Sequence, residues 1–377
     1  MSNPQAFLYC DSASSMPTLP EVWSFLKNDR TATPPSWGCN LSSDHGIATV
    51  FQNQYESLTS QLFSSLKCTP SEWFWTSGAT EANEWAIQIA LASRPDLKTI
   101  FVHPLSHPSL SLSAARLAKR HDLLLEQIPL QEKSYQIDFH TLGKSHEKLQ
   151  ECLIVLPYGD NELGAIEINL SSLKAFGWVH FDAAQSFAKI PLDLSTLPCA
   201  SLACSGYKFG ALPGLGGLYV RLRPKKTIEP LFVGGSQQNG LRAGTLPFLL
   251  IQTFAIAYQA WQAQEYAQKL ALVRTQLLRF LKESLNVQVL SPSEGLPHIL
   301  TFEVPYSKKD AVIRLKNTIA FSQGSACQKG QGSPALSAIG ISLERQKCML
   351  RLGLSPYNVK DGAEIQERLL EILSPSL

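Results

Sequence analysis

Short apolar runs recur along the chain, with room for a helix between each pair. Thr99–Val102, Cys152–Leu156, Val179–Phe181 and Gly217–Val220 are examples. Runs this short, flanked by polar or turn residues, predict buried strands, and their alternation with helical patterns predicts a mostly parallel α/β sheet. The pattern changes near residue 247. From Pro247 to about Leu285 glycine is absent, and Phe254, Tyr258, Trp261, Leu270, Val273, Leu277 and Phe280 recur at the spacing of one long amphipathic helix. Beyond it, Val287–Leu290, Ile299–Val304 and Leu350–Leu354 predict strands of a smaller α+β unit, with Pro292 and Pro297 in a turn between the first two. The expected plan is a large α/β domain over residues 14–250 and a small α+β domain built from 1–13 and 251–377.

Composition narrows the function classes. The 377 residues are 44% hydrophobic, enough for a large core, and the formal net charge of +2 gives no strong field to attract nucleic acid or an anionic membrane. The opening MSNPQAFLYCDSASS lacks the charged start and apolar run of a secretory signal, and no apolar stretch reaches the roughly 20 residues that span a bilayer. A soluble, cytoplasmic protein is expected. The eight cysteines include no CxxC pair, so no metal site is expected, and most of the thiols are expected to be buried, reduced and inert.

Five segments carry candidate chemistry. Trp75-Thr76-Ser77-Gly78-Ala79-Thr80-Glu81-Ala82-Asn83 runs from an aromatic strand through a small-residue turn into a helix former. Such a turn presents backbone N–H groups to an anion, and Thr80 adds a hydroxyl; an ordinary capped helix has the same look. Trp178 to Gln185 is an apolar strand ending in Asp182, where a carboxylate can either cap a helix or meet a ligand beyond the strand end. Lys208 lies among small and apolar residues in Ser205-Gly206-Tyr207-Lys208-Phe209-Gly210, and a desolvated lysine amine can form a Schiff base. Gly234 to Thr245 is a small-residue loop holding Arg242 and Thr245, side chains suited to a phosphate. Ser322 to Pro334 places Cys327 in a polar, glycine-rich stretch beside Lys329, surroundings that permit a reactive thiolate.

Taken in order, these segments resemble the NifS/IscS-like cysteine desulfurases of the aminotransferase class V group, from about Tyr9 to Ile365. Tyr9-Cys10-Asp11-Ser12-Ala13-Ser14-Ser15 is similar to the family's Y-x-D-N-A-A-T, and Asn40-Leu41-Ser42-Ser43-Asp44-His45 to its N-P-S-S-x-H. Thr76 to Asn83 follows its T-S-G-A-T-E-x-N, while Asp182-Ala183-Ala184-Gln185 and Gly324-Ser325-Ala326-Cys327 match outright. The resemblance implies the fold type I of pyridoxal 5'-phosphate (PLP) enzymes, with a mostly parallel seven-stranded sheet and a small C-terminal domain.

It also implies roles. Lys208 would bind PLP covalently and Asp182 would pair with the pyridine nitrogen. Gln185 would bond the phenolic oxygen, and His107 would stack on the ring and help move protons. Ala79, Thr80, Ser205, Tyr207 and Thr245 would hold the phosphate side. Asn161 would touch cofactor or substrate, Arg351 would clamp the substrate carboxylate, and Arg242, also expected to bind substrate, would lie with Thr245 in a segment that reaches the neighbouring subunit's site. L-cysteine would give L-alanine, and Cys327 would take the sulfur as a persulfide for a protein acceptor serving iron–sulfur assembly or thiolation. A homodimer is implied. The chain departs from the family at Tyr207 (usually His), Leu41 (Pro), Asp160 (Asn), Asn239 (Arg) and Leu246-Pro247 (Glu-Asn). Selenocysteine lyase, another class V reaction, and a paralogue acting as a binding or regulatory subunit are the alternatives.

Overall fold

The computed structural model describes residues 7–31, 40–131, 135–146, 148–221, 228–305, 307, 309–323 and 332–373. The chain divides into two compact units. One comprises residues 18–158 and 167–263; the other comprises the described residues within 1–17, 159–166 and 264–377.

The larger unit is built on seven strands: β1 (Trp73–Thr76), β2 (Thr99–Val102), β3 (Leu124–Gln127), β4 (Cys152–Pro157), β5 (Trp178–Asp182), β6 (Ser201–Ser205) and β7 (Gly216–Val220). Their order across the sheet is β1-β7-β6-β5-β4-β2-β3. Pairing is parallel from β3 through β6, and β7 runs antiparallel to both of its neighbours. Strands β1, β2, β5, β6 and β7 are buried along their whole length, which is why they read as mostly apolar runs. Helices α1 (Pro20–Asp29), α2 (Gly46–Leu66), α3 (Ala79–Ser93), α4 (Pro108–Arg120) and α5 (Phe248–Ala263) belong to the unit. A core on one side of the sheet packs Trp85, Ile87 and Leu91 of α3 with Leu110 and Leu117 of α4 against Ile100, Val155 and Leu218.

The smaller unit centres on β8 (Ile299–Glu303) paired antiparallel with β9 (Met349–Gly353). Leu8–Tyr9 adds a parallel pair with Ile319–Ala320, and Asp11 bridges to Gly353. Helices α6 (Tyr266–Glu283) and α7 (Gly362–Leu373) belong to this unit. The buried Arg274 of α6 donates to Ile299 O at 2.8 Å, Ser293 O at 2.9 Å and Pro292 O at 2.5 Å, fixing the turn that leads into β8.

Three sequence expectations change. The single helix over 247–285 is two, because Glu265 takes a left-handed φ of 51° and ends the run. The boundary also moves from residue 250 to 263, since α5 is buried almost all round against α1 and α2. Residues 159–166, expected in the large domain, pack with the smaller unit: Ser291 Oγ donates to Leu163 O at 2.6 Å, and Thr301 Oγ1 donates to Glu162 O at 2.5 Å.

Candidate active site

In the larger unit the candidate residues gather at the carboxyl ends of the strands, where ligands sit in open α/β sheets. Strand β1 ends at Thr76, Ser77-Gly78 forms the turn, and α3 begins at Ala79. Thr76 lies opposite Gly216 in the register, and a Cβ on Gly216 would come within 2.6 Å of Gly78 Cα. Glycine at 216 is therefore what lets turn and strand touch. A Cβ built on Gly78 would in turn lie 3.5 Å from Ser205 Oγ. The Ser205 hydroxyl thus borders the first turn of α3, whose N–H groups lack helical partners and whose Thr80 is exposed. Hydroxyls and main-chain N–H groups around a space that a side chain at residue 78 would fill suit a phosphate.

Asp182 ends β5 and is buried. Its Oδ1 accepts from Ala184 N at 2.9 Å and its Oδ2 from Asn83 Nδ2 at 2.8 Å. Asn83 Nδ2 also reaches Ser109 Oγ at 3.0 Å, and that hydroxyl lies 2.8 Å from His107 Nδ1. Gln185, one turn on, is buried as well. Lys208 sits in the tight turn Gly206–Phe209 after β6, half-buried, with Nζ 5.0 Å from the centroid of the Tyr207 ring. A carboxylate and a lysine following the adjacent strands β5 and β6, with a histidine at the start of α4 and a phosphate cradle, are the set of side chains that PLP requires.

The fully buried lysine is a different one. Lys189 is 1% exposed, and burial, then the charge of Lys208, pushes its amine well below the usual lysine range. Arg242, expected to face a phosphate or substrate, is engaged with Glu81 of α3, Nε to Oε1 at 2.9 Å. Burial would raise the Glu81 carboxyl, but bonds from Arg242 and Ser77 outweigh it and hold the group below its ordinary value. Thr245, three residues further on, is exposed.

In the smaller unit Arg351 lies on β9 with its side chain 3% exposed. Its Nη1 donates to Asn161 O at 2.7 Å and its Nη2 to Ser14 Oγ at 3.1 Å. The carboxylates of Asp11 and Glu162 stand 3.8 and 3.7 Å away, and Arg351 Nε has no hydrogen-bond partner among the described residues. A buried guanidinium with an unspent donor fits an incoming carboxylate. Asp160 shapes the loop that delivers Asn161 and Glu162: its Oδ1 accepts from Glu162 N and Leu163 N at 2.8 and 2.7 Å, and its Oδ2 from Ala165 N at 2.6 Å. Ser333 Oγ donates to Glu162 Oε1 at 3.0 Å. Cys327 lies outside the described residues.

The structure thus joins Asp182 to His107 and sets Ser205 beside the turn before Thr80, while Asn161 meets Arg351 in the other unit. Sequence reasoning missed Asn83, Ser109, Lys189, Glu162 and Asp11 as neighbours of these groups. A polar His180 inside the otherwise apolar run Trp178–Phe181 was the available signal. Among the described residues no cluster of three or more His, Cys, Asp and Glu is placed to hold a metal, and no helix is long and apolar enough to cross a membrane.

The model of the family described as aminotransferase class-V matches residues 8–365. A mitochondrial cysteine desulfurase of Arabidopsis thaliana is 26% identical over 364 residues, covering 94% of this chain and 79% of the relative. The cysteine desulfurase IscS of Serratia proteamaculans is 28% identical over 378 residues, covering 96% of this chain and 91% of the relative. The solved structure of a NifS-like protein shares the fold with a TM-score of 0.81 at 22% identity, covering 98% of this chain and 100% of that one.

Proposed function

The chain belongs to the aminotransferase class-V family, a PLP-dependent group, and on that premise we propose that it is a cysteine desulfurase, converting L-cysteine to L-alanine and carrying the sulfur as a persulfide on Cys327. When bound, PLP supplies an electron sink for the carbanion formed at the substrate α-carbon. Lys208 would hold it covalently, and the Lys208 amine would serve as the base for the substrate α-proton. Asp182 accepts from the ring nitrogen, and Gln185 bonds the phenolic oxygen. Ala79, Thr80, Ser205, Tyr207 and Thr245 hold the phosphate. His107 would pack against the cofactor and hold a proton for the reacting centre. Arg351 binds the substrate carboxylate with Asn161 beside it, and Arg242, through Glu81, steadies the first turn of α3.

Cys327 attacks as a thiolate. Its Sγ bonds to the substrate sulfur, the Cβ–S bond breaks, and the Cβ atom takes a proton to become the methyl of alanine. The persulfide then passes to a protein sulfur acceptor, and the working form is a homodimer in the cytoplasm.

The observation that carries this reading is the held carboxylate of Asp182, buried at a strand end with a donor on each oxygen, in a chain that matches named cysteine desulfurases almost end to end. The other thiols support it. Burial pushes Cys10, Cys68 and Cys199 up to about 12 and also raises Cys152 and Cys204, so these five are poor nucleophiles. The test compares wild type with Cys327→Ala, each given L-cysteine with a reductant. Wild type should release alanine and sulfide in equal amounts. The variant should keep the visible band of lysine-bound PLP and lose both products. If the two proteins behave alike, Cys327 is not the sulfur acceptor.

A further inference from the structure

A chain of hydrogen bonds in the larger unit runs from the core to Asp182 and His107, and its direction follows from groups that can only donate or only accept. The Trp178 indole Nε1–H can only donate, and it lies 3.0 Å from Ser201 Oγ. Ser201 Oγ lies 2.9 Å from His180 Nδ1. His180 Nε2 faces Asn83 Oδ1 at 3.0 Å. The Asp182 carboxylate can only accept, so the Asn83 amide must turn its Nδ2 toward Asp182 and its Oδ1 toward His180. His180 therefore carries its proton on Nε2, and its bare Nδ1 takes the Ser201 proton. Burial pushes this imidazole down to about 3, so it stays neutral.

The second Nδ2 hydrogen of Asn83 goes to Ser109 Oγ, which leaves the Ser109 proton for His107 Nδ1. The Ser109 backbone N–H also reaches that nitrogen, at 3.1 Å. Two donors aimed at Nδ1 leave His107 with its proton on Nε2. Asn83, His180 and Ser201 are fully buried, so water does not compete for these bonds.

We propose that Asn83 is a positioning residue whose single amide, oriented by His180, aims Asp182 and, through Ser109, orients the His107 ring. The proposal rests on the reading of Asp182 and His107 as the groups that face PLP. It assigns one residue to both sides of the cofactor: the partner of the ring nitrogen and the imidazole against the ring are set by the same amide.

The test uses PLP-bound protein with 15N-labelled histidine. In wild type, both His107 and His180 should show one protonated and one bare ring nitrogen, with the proton on Nε2. Ser109→Ala should move the His107 Nδ1 resonance, leave those of His180 in place, and change the PLP dissociation constant by no more than about twofold, since the bond from Asn83 to Asp182 survives. Asn83→Ala should move the resonances of both histidines and weaken PLP binding about tenfold or more, the usual cost of losing a donor to a charged group. An unmoved His107 Nδ1 in either variant, or unchanged PLP affinity in Asn83→Ala, overturns the proposal. If Asn83→Ala does not fold, the His107 line in Ser109→Ala decides alone. A wild-type protein with this nitrogen pattern that binds no PLP would defeat the functional reading and leave the wiring standing.

Discussion

Asp160→Asn restores the residue usual at this position in similar desulfurases, and its effect should change with pH. Asp160 is fully buried and uses both oxygens to accept three main-chain N–H groups. Burial raises its carboxyl from 3.8 to about 6, with the three N–H groups pulling the other way. That separation corresponds to about 3 kcal/mol between the two protonation states. Because the folded value lies above the unfolded one, the contribution is fully present below pH 3.8 and is lost as pH rises through about 6. Asparagine does not titrate, but it has one acceptor oxygen. Its NH2 would face the Ala165 N–H, donor against donor, at a cost of about 1–3 kcal/mol. The variant should therefore be the less stable protein at pH 4.5. The gap should narrow by about 2 kcal/mol by pH 7.5, where wild type carries its buried charge. Urea unfolding at the two pH values, with amide exchange of Glu162, Leu163 and Ala165 as the local probe, measures this. A gap that stays constant to within about 0.5 kcal/mol would refute the charge argument, because hydrogen-bond loss alone carries no such pH dependence.

Two further predictions concern binding and packing. Arg351→Lys keeps the charge but loses the planar fork, so KM for cysteine should rise about tenfold to a hundredfold in steady-state assays, and an unchanged KM would remove Arg351 from the substrate site. Gly217→Ala would drive a Cβ into the indole of Trp73, which is itself wedged 5.7 Å from the Trp75 ring centre. Overpacking of this kind costs about 1–3 kcal/mol, so thermal unfolding should begin several degrees lower.

How much of this was legible in the sequence depended on how local the cause was. Strands β2, β4, β5 and β7 were readable because burial on both faces forces an apolar run. The break at Glu265 was not, because the apolar spacing continues across it and a single left-handed residue leaves no mark in that spacing. Residues 159–166 were assigned to the wrong unit because the groups that claim them, Ser291 and Thr301, lie more than a hundred positions away. Asp182, Gln185 and Lys208 were singled out through motif order. Asn83 was quoted within a motif but given no task, since its partners His180 and Ser109 meet it only once the sheet and α4 are in place.

The buried thiols bear on how a sulfur carrier avoids spoiling itself. Sulfur in a persulfide moves to whichever thiolate reaches it, and exchange slows as the thiolate becomes scarce. A thiol with a pKa of about 12, as burial gives Cys10, Cys68 and Cys199, holds only about one part in a hundred thousand as thiolate at pH 7. In the proposed reaction the same burial that packs the core would therefore insulate the cargo: Cys10, Cys68 and Cys199 offer almost no competing sink for a persulfide.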